Sequence, residues 1–147
     1  MLHAVTAEYN IKSMGLNFAR LSLNIDETNQ TITVKAKSLQ TGNIVAKLDN
    51  SYHISYDTNF CPLVYHRQIK QKKLDTKVIT RYDHASGKAS MDDSATRHHL
   101  EYPLQGRTRD IFSFLAFCAQ GKAKAGAYLI DANGTPWQAI LSAGTKE

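Results

Sequence analysis

One stretch of this chain, Thr108 to Gly121, spaces its apolar residues like a helix, whereas almost every other stretch alternates like a β-strand. Thr108 is predicted to cap the first turn with its hydroxyl, and Asp110 places negative charge near the positive end of the helix dipole. Gly121 is suited to close the helix in a left-handed conformation. The residues predicted to share its inner face are Ile111, Phe114, Leu115 and Cys118. The other face is largely apolar as well, so we predict one buried helix at about residues 108–120.

The alternating segments predict a sheet of about eight to ten short antiparallel strands. Breaks at Met14-Gly15 and at Asp26–Asn29 divide the N-terminal part into a three-stranded meander. Asn133-Gly134 predicts a hairpin turn, and the polar segment Met91 to Thr96 is predicted to be a loop. We therefore predict a single mainly β domain of the α+β class, residues 1–147, in which a strongly curved antiparallel sheet or half-barrel wraps around the helix.

Length and composition are those of an ordinary globular protein. A chain of 147 residues can bury a real core, and hydrophobic and charged contents of 42% and 21% are typical of one domain. No apolar run reaches the roughly eighteen residues of a membrane-spanning helix, and no signal-peptide pattern is visible at the N-terminus. We therefore expect no stable membrane span, and a protein that is either cytoplasmic or exported with its signal removed.

The net charge of +5 is concentrated in one region. Its basic residues are Arg67, Lys70, Lys72, Lys73, Lys77 and Arg81, opposed only by Asp75. Such a patch attracts the phosphate groups of nucleic acids or lipid head groups. Lysine-rich strands also keep a sheet edge soluble, and aromatic residues that would stack on bases are not regularly interleaved here. A polyanion site is thus an alternative function, with nucleic acid the less favoured ligand.

The chain carries no sequence motif of a metal, nucleotide or hydrolase site, so we predict no catalytic residue, no metal and no cofactor. His98 and His99 are adjacent, and neighbours on a strand point to opposite faces, so they cannot bind one metal ion together. Cys61 and Cys118 pair only if the fold brings them close, which the sequence leaves open. A hydrolase with an unrecognised site stays open as a second alternative.

Several aromatic residues occupy positions predicted to face inward. Tyrosine buries its ring but needs a partner for its hydroxyl, so several tyrosines on one face suit a pocket with apolar walls and a few polar tips. Ordinary core packing produces the same pattern. The residues that we expect to line such a ligand site are Tyr9, Tyr52, Tyr56, Tyr82, Phe114 and Trp137.

Six segments of the chain each resemble a motif of a known family. Their order along the chain identifies that family more specifically than any single segment does. They are AEYNIKSMGLNFARLSLNI, TGNIVAKLDNSYHISYD, CPLVYHRQI, TRYDHASGKAS, RDIFSFLAF and GAYLIDANGTPWQAIL. The first joins a tyrosine, a glycine and a strand of small residues, and the fifth places an apolar helix after an aspartate. Together, over about residues 7–142, they resemble a family of exported bacterial proteins, the domain of unknown function numbered 3108.

The resemblance implies a periplasmic or envelope protein with a β half-barrel around a helix, and it implies no catalytic residues. The chain shows no export signal and ends soon after Leu141, where relatives often continue with more strands. The barrel is therefore expected to be more open here or completed by a partner chain. The leading functional prediction is a non-enzymatic envelope domain that binds a lipid-like ligand, apolar or amphiphilic, or a partner protein, in the concave face of its sheet.

Overall fold

The chain folds into two sheets and one helix in the parts that the computed structural model describes, residues 4–39 and 47–144. The strands of the large sheet are β1 (Ala4–Ser13), β2 (Leu16–Asp26), β3 (Thr31–Ser38), β4 (Asp49–Tyr56), β5 (Pro62–Gln71), β6 (Leu74–Asp83), β7 (Lys88–Asp93) and β8 (His98–Pro103). The small sheet contains β9 (Thr108–Arg109), β10 (Gly126–Ala132) and β11 (Thr135–Leu141), and helix α1 spans Ile111–Ala119 between β9 and β10.

Strand accounts for 64% of the described structure, which confirms a mainly β fold, and the described residues include one short helix. The large sheet is an antiparallel meander that keeps the chain order from β1 to β8, while β9 runs parallel to β10. No sheet in the described part of the chain is strongly curled or closed. Positive φ angles at both Met14-Gly15 and Asn133-Gly134 form the tight hairpin turns that the sequence predicted.

One face of the large sheet is apolar because hydrophobic residues recur at every second position of its strands. We call it the covered face, since α1 lies on it, and we call the opposite side the open face. The core joins Ile25, Ile32 and Ile54 of the sheet to Phe112 and Ala116 of α1. A helix packed on the apolar face of a sheet is the arrangement predicted by the alternating strand segments and the helical spacing of residues 108–121.

The start of α1 corrects the prediction, because Asp110 rather than Thr108 caps it. One carboxylate oxygen of Asp110 accepts the backbone N–H groups of Phe112 at 2.9 Å and Ser113 at 3.1 Å. The Ser113 hydroxyl donates to the other oxygen at 2.5 Å. Thr108 instead lies in β9, where its backbone pairs with Leu129 of β10. That pairing joins distant segments, so local capping preferences do not reveal it.

The end of α1 follows the prediction. Gly121 has a φ of +67°, and its N–H donates to the carbonyl of Cys118 at 2.9 Å. The N–H of Lys122 donates to the carbonyl of Phe117 at 3.2 Å. These two bonds form the closing motif in which a left-handed glycine satisfies the last carbonyl groups of a helix.

The buried side of α1 differs from the predicted inner face. Ile111 is 47% exposed, whereas Phe112, Phe114 and Ala116 are buried. The reason is that α1 is covered on two sides: the large sheet contacts Phe112, and Tyr128 of β10 lies 5.3 Å from Phe114, ring centroid to ring centroid. The apolar residues on both faces of the segment predicted a buried helix, but they did not show that a second sheet covers it.

The predicted loop at Met91–Thr96 is wrong for its first three residues, which belong to β7. Ala89 is buried and Met91 is half-buried on the covered face, whereas Asp92 is exposed. The strand has only six residues and half of them point to solvent. Because the segment is short and polar, its alternation of buried and exposed residues was not recognised as a strand.

Candidate ligand cavity between the sheet and the helix

Three aromatic rings meet where α1 lies on the large sheet. Tyr52 of β4 and Tyr65 of β5 occupy covered-face positions, and Phe112 lies in the first turn of α1. The ring centroid of Phe112 lies 4.9 Å from that of Tyr52 and 6.4 Å from that of Tyr65, and the two tyrosine centroids are 6.2 Å apart. Their tilted and edge-to-face geometry is favourable for aromatic pairs and holds the three rings in defined orientations.

A cavity of about 260 Å³ opens beside these rings. Its volume is just below the range of about 300–1,000 Å³ that is usual for small-molecule sites. The lining consists of Tyr52, Tyr65, Ile69, Ile111, Phe112, Ile130 and Ala132, together with the polar residues Arg67, Asp131 and Asn133. The hydrogen bond from Arg67 of β5 to Asn133 brings the polar residues of β5 and of the β10–β11 hairpin together. The cavity therefore has apolar walls and one polar end.

Arg67 is the cationic group of this polar end, and only 5% of it is exposed. Its guanidinium donates to the side-chain oxygen of Asn133, to Thr80 Oγ1 at 3.1 Å and to Met91 Sδ at 3.0 Å. The guanidinium carbon lies 5.0 Å from the ring centroid of Tyr65, close enough for a cation–π contact. In residues 4–39 and 47–144 no carboxylate forms an ion pair with Arg67, and its Nε has no hydrogen-bond partner.

Asp131 is the anionic group of the polar end, and it is buried. Its Oδ2 accepts the hydroxyl of Tyr82 at 2.8 Å and that of Tyr102 at 2.6 Å, while its Oδ1 accepts the N–H of Gly134 at 2.7 Å. Burial, and then the nearby Asp131 carboxylate, raise the pKa of Tyr82, so its hydroxyl stays protonated and donates. The carboxylate is therefore engaged by two phenols and an amide rather than by Arg67.

The six residues predicted to line a ligand site occupy different places. Tyr52 lines the cavity. Tyr82 bonds to Asp131, and Tyr56 stacks on Phe60 at 4.6 Å between ring centroids. The three others do not line the cavity. Phe114 packs against Tyr128, Tyr9 is 43% exposed on β1, and Trp137 is 64% exposed on β11.

Arg67 was predicted to belong to the basic surface, although the alternation of β5 indicates that its side chain is buried. Arg67 alternates in phase with Tyr65 and Ile69, and this period of two places all three on the covered face of β5. The partners of Arg67 give no comparable signal, because Asn133 lies 66 residues further along the chain. The alternation thus predicts a buried arginine but not what surrounds it.

The five other basic residues of the predicted polyanion site are exposed. Lys70, Lys72 and Lys73 surround the β5–β6 turn, where a groove of about 400 Å³ is also lined by Lys47, Asp49 and Asp75. Lys77 and Arg81 point to the open face, and Arg81 Nη1 lies 3.7 Å from a carboxylate oxygen of Asp92. Arg67 is therefore separated from the surface cations with which the sequence grouped it.

The open face also carries a histidine–carboxylate pair. The strand register places Asp92 of β7 opposite His99 of β8, and Nδ1 of His99 lies 2.6 Å from Asp92 Oδ1. Nε2 of His99 lies 3.7 Å from Glu101. The hydrogen bond with Asp92, and then its negative charge, raise the pKa of His99 above its usual value.

Replacing Asp92 with asparagine is expected to lower the pKa of His99 towards its ordinary value, as measured by NMR titration of the imidazole protons. Because the folded-state pKa is raised, the stability from this pair is fully present below the unfolded pKa and is lost as pH rises through the folded pKa. Asp75→Asn is the control, since Asp75 accepts a hydrogen bond from Gln68 and contacts no histidine that the structure describes. An unchanged His99 titration in Asp92→Asn would contradict the assignment.

The described residues include neither a metal-binding cluster nor a membrane-spanning helix. No group of three or more His, Cys, Asp and Glu side chains is placed to hold a metal ion there, and Cys61 and Cys118 are both free thiols. None of the described helical segments has the length and hydrophobicity needed to cross a membrane.

The model of a family described as a protein of unknown function, DUF3108, matches residues 8–127. No curated protein and no solved structure matches the chain.

Proposed function

The chain belongs to the DUF3108 family of unknown function, and from that premise we propose that it binds a lipid-like, apolar or amphiphilic ligand between its large sheet and α1. The site is the cavity of about 260 Å³ beside Tyr52, Tyr65 and Phe112. No catalytic step is part of this proposal. The protein acts as a carrier or a receptor for the ligand.

The observation that carries the proposal is open space next to three aromatic rings on the covered face. A filled core would leave few voids larger than a water molecule. When an apolar group moves from water into this space, its burial contributes about 25 cal/mol of favourable free energy per Å² of apolar area. The half-exposed Ile111 supports an entrance for the ligand at the first turn of α1.

The proposal includes a location in the periplasm or cell envelope and a sheet that curves around α1 as a half-barrel. The first rests on the segments that resemble exported proteins, and the second on the position of α1 and the cavity on the same face of the large sheet. A partner protein in the same place is the competing occupant. The exposed lysines at the β5–β6 turn keep the polyanion alternative open.

Titration with N-phenyl-1-naphthylamine, a neutral apolar dye that brightens on leaving water, tests the proposal. We expect saturable binding to the wild-type protein, and binding weakened about tenfold in Ile111→Trp because the larger side chain occupies the entrance. Ile140→Trp is the matched control, since Ile140 is 78% exposed on β11 and does not line the cavity.

Absence of saturable binding to the wild-type protein, or equal affinity in Ile111→Trp and Ile140→Trp, would reject the proposed site. Organic extraction of protein purified from the native envelope, followed by mass spectrometry, then identifies the natural ligand. An extract with no apolar compound in stoichiometric amount would favour the partner-protein interpretation.

A further inference from the structure

Arg67 offers more hydrogen-bond donors than its surroundings accept. A guanidinium has five N–H groups, and three of those of Arg67 have an acceptor in the described part of the chain. All three acceptors are neutral, and the sulfur of Met91 is a weak one. A buried charge is costly unless a counter-charge and a full set of hydrogen bonds compensate it. Arg67 is therefore incompletely compensated beside an open cavity.

The carboxylates in the neighbourhood are already engaged. Asp131 lines the same cavity and would repel an anion, but its oxygens accept two phenol hydroxyls and the N–H of Gly134. Asp110 is fully committed to capping α1 through Phe112 and Ser113. Neither forms an ion pair with Arg67 within the described ranges.

From this imbalance we infer that the ligand of the cavity is an anionic amphiphile, whose head group pairs with Arg67 while its tail lies along the aromatic walls. The inference rests on the proposed function and goes beyond it by naming the class of ligand. A guanidinium binds carboxylate and phosphate oxygens in the same bidentate geometry, so the proposed anionic amphiphile has either a carboxylate or a phosphate head group. The volume of about 260 Å³ accommodates a short acyl chain, and a longer one would leave past the half-exposed Ile111.

Asn133 is the contact that a head group would replace. It lies at the exposed tip of the β10–β11 hairpin, and its side-chain oxygen accepts from Nη1 of Arg67. An anion at that position replaces the neutral amide oxygen with a charged acceptor, so that Arg67 gains an ion pair together with the hydrogen bond. Because the hairpin tip also lines the cavity, a small movement of Asn133 opens Arg67 to a ligand.

The test is displacement of N-phenyl-1-naphthylamine by octyl compounds that differ only in their head groups: octanoate, octyl phosphate, octanol and octylamine. We expect octanoate or octyl phosphate to displace the dye at concentrations at least about tenfold lower than octanol, and octylamine to be the weakest. The better of the two anions identifies the head group as a carboxylate or a phosphate.

Two variants connect the preference to Arg67. Arg67→Met removes the charge and keeps an unbranched stem, so octanoate and octanol should displace the dye about equally. Asn133→Asp leaves Arg67 in place but supplies a built-in carboxylate, so the anions should lose about tenfold while octanol is unchanged. Asn24→Asp adds the same charge on an exposed position of β2 and should leave the preference intact.

Equal displacement by octanol and octanoate in the wild-type protein would overturn this inference while leaving the proposed function standing. An anion preference that survives in Asn133→Asp would overturn it as well, even if Arg67→Met fails to fold. Failure of the dye to bind the wild-type protein removes the proposed function, and the inference falls with it.

Discussion

Replacing Asp110 with alanine is expected to lower the free energy of unfolding by about 2–4 kcal/mol, measured by urea denaturation at neutral pH. The substitution removes the acceptor of two backbone N–H groups and of the Ser113 hydroxyl. Phe112, Ser113 and Asp110 are all buried, so water cannot replace the lost acceptor. The loss should therefore exceed that of an ordinary exposed helix cap.

Asp110→Asn is expected to change stability by less than about 1 kcal/mol, because the amide oxygen still caps the helix. Burial raises the pKa of Asp110 in spite of the hydrogen bonds from Ser113 and Phe112. The folded protein then holds this proton more tightly than the unfolded chain does. Stability is thus expected to fall as pH rises from the ordinary value of 3.8 through the folded pKa, and Asp110→Asn should lack this contribution.

Asp83→Ala is the control for this pair of variants. Asp83 also accepts a backbone N–H, that of Ser86 at 3.0 Å, but it is exposed at the end of β6, where water can replace the lost acceptor. Its replacement should cost much less than that of Asp110. If Asp83→Ala and Asp110→Ala lowered the free energy of unfolding equally, burial of the Asp110 cap would not increase its contribution to stability.

The fold was predictable from the sequence wherever a structure depends on neighbouring residues. Alternation identified most strands of the large sheet, and Asn133-Gly134 and Gly121 marked a hairpin and a helix end. The predictions were wrong where contacts between distant segments determine the local structure. Thr108 has the side chain of a helix cap, but its backbone pairs with β10. The sequence predicted an inner face of α1 that includes Ile111, but the structure exposes Ile111 and covers Phe114 with Tyr128.

The candidate cavity was less predictable, because its lining is assembled from β4, β5, α1 and the β10–β11 hairpin. Tyr52 was expected at a ligand site, but Arg67 was grouped with surface lysines by its charge alone. The period of β5 places Arg67 beside Tyr65 and Ile69 on the covered face. No local pattern indicates that Asp131 meets Tyr82, 49 residues earlier in the chain.

Replacing Asp131 with alanine is expected to cost about 3–5 kcal/mol of unfolding free energy, since hydrogen bonds to a charged group contribute about 1.5–3 kcal/mol each. The carboxylate joins the hydroxyls of Tyr82 and Tyr102 to the turn that holds Gly134, so it links the large sheet to the β10–β11 hairpin. Tyr82 is only 7% exposed, and its hydroxyl would be left without a partner. The half-buried Tyr102 can turn to water more easily.

A double-mutant cycle separates this link from simple loss of packing. Tyr82→Phe should cost about 1.5–3 kcal/mol in the wild-type protein but much less in the Asp131→Ala background, because its hydroxyl no longer has an acceptor there. Tyr128→Phe is the matched control, since among the described residues its hydroxyl bonds to the exposed backbone of Lys124, and its cost should be the same in both backgrounds. Equal costs of Tyr82→Phe in the two backgrounds would mean that Asp131 and Tyr82 stabilise the protein independently. The hairpin would then need another explanation for its position over the covered face.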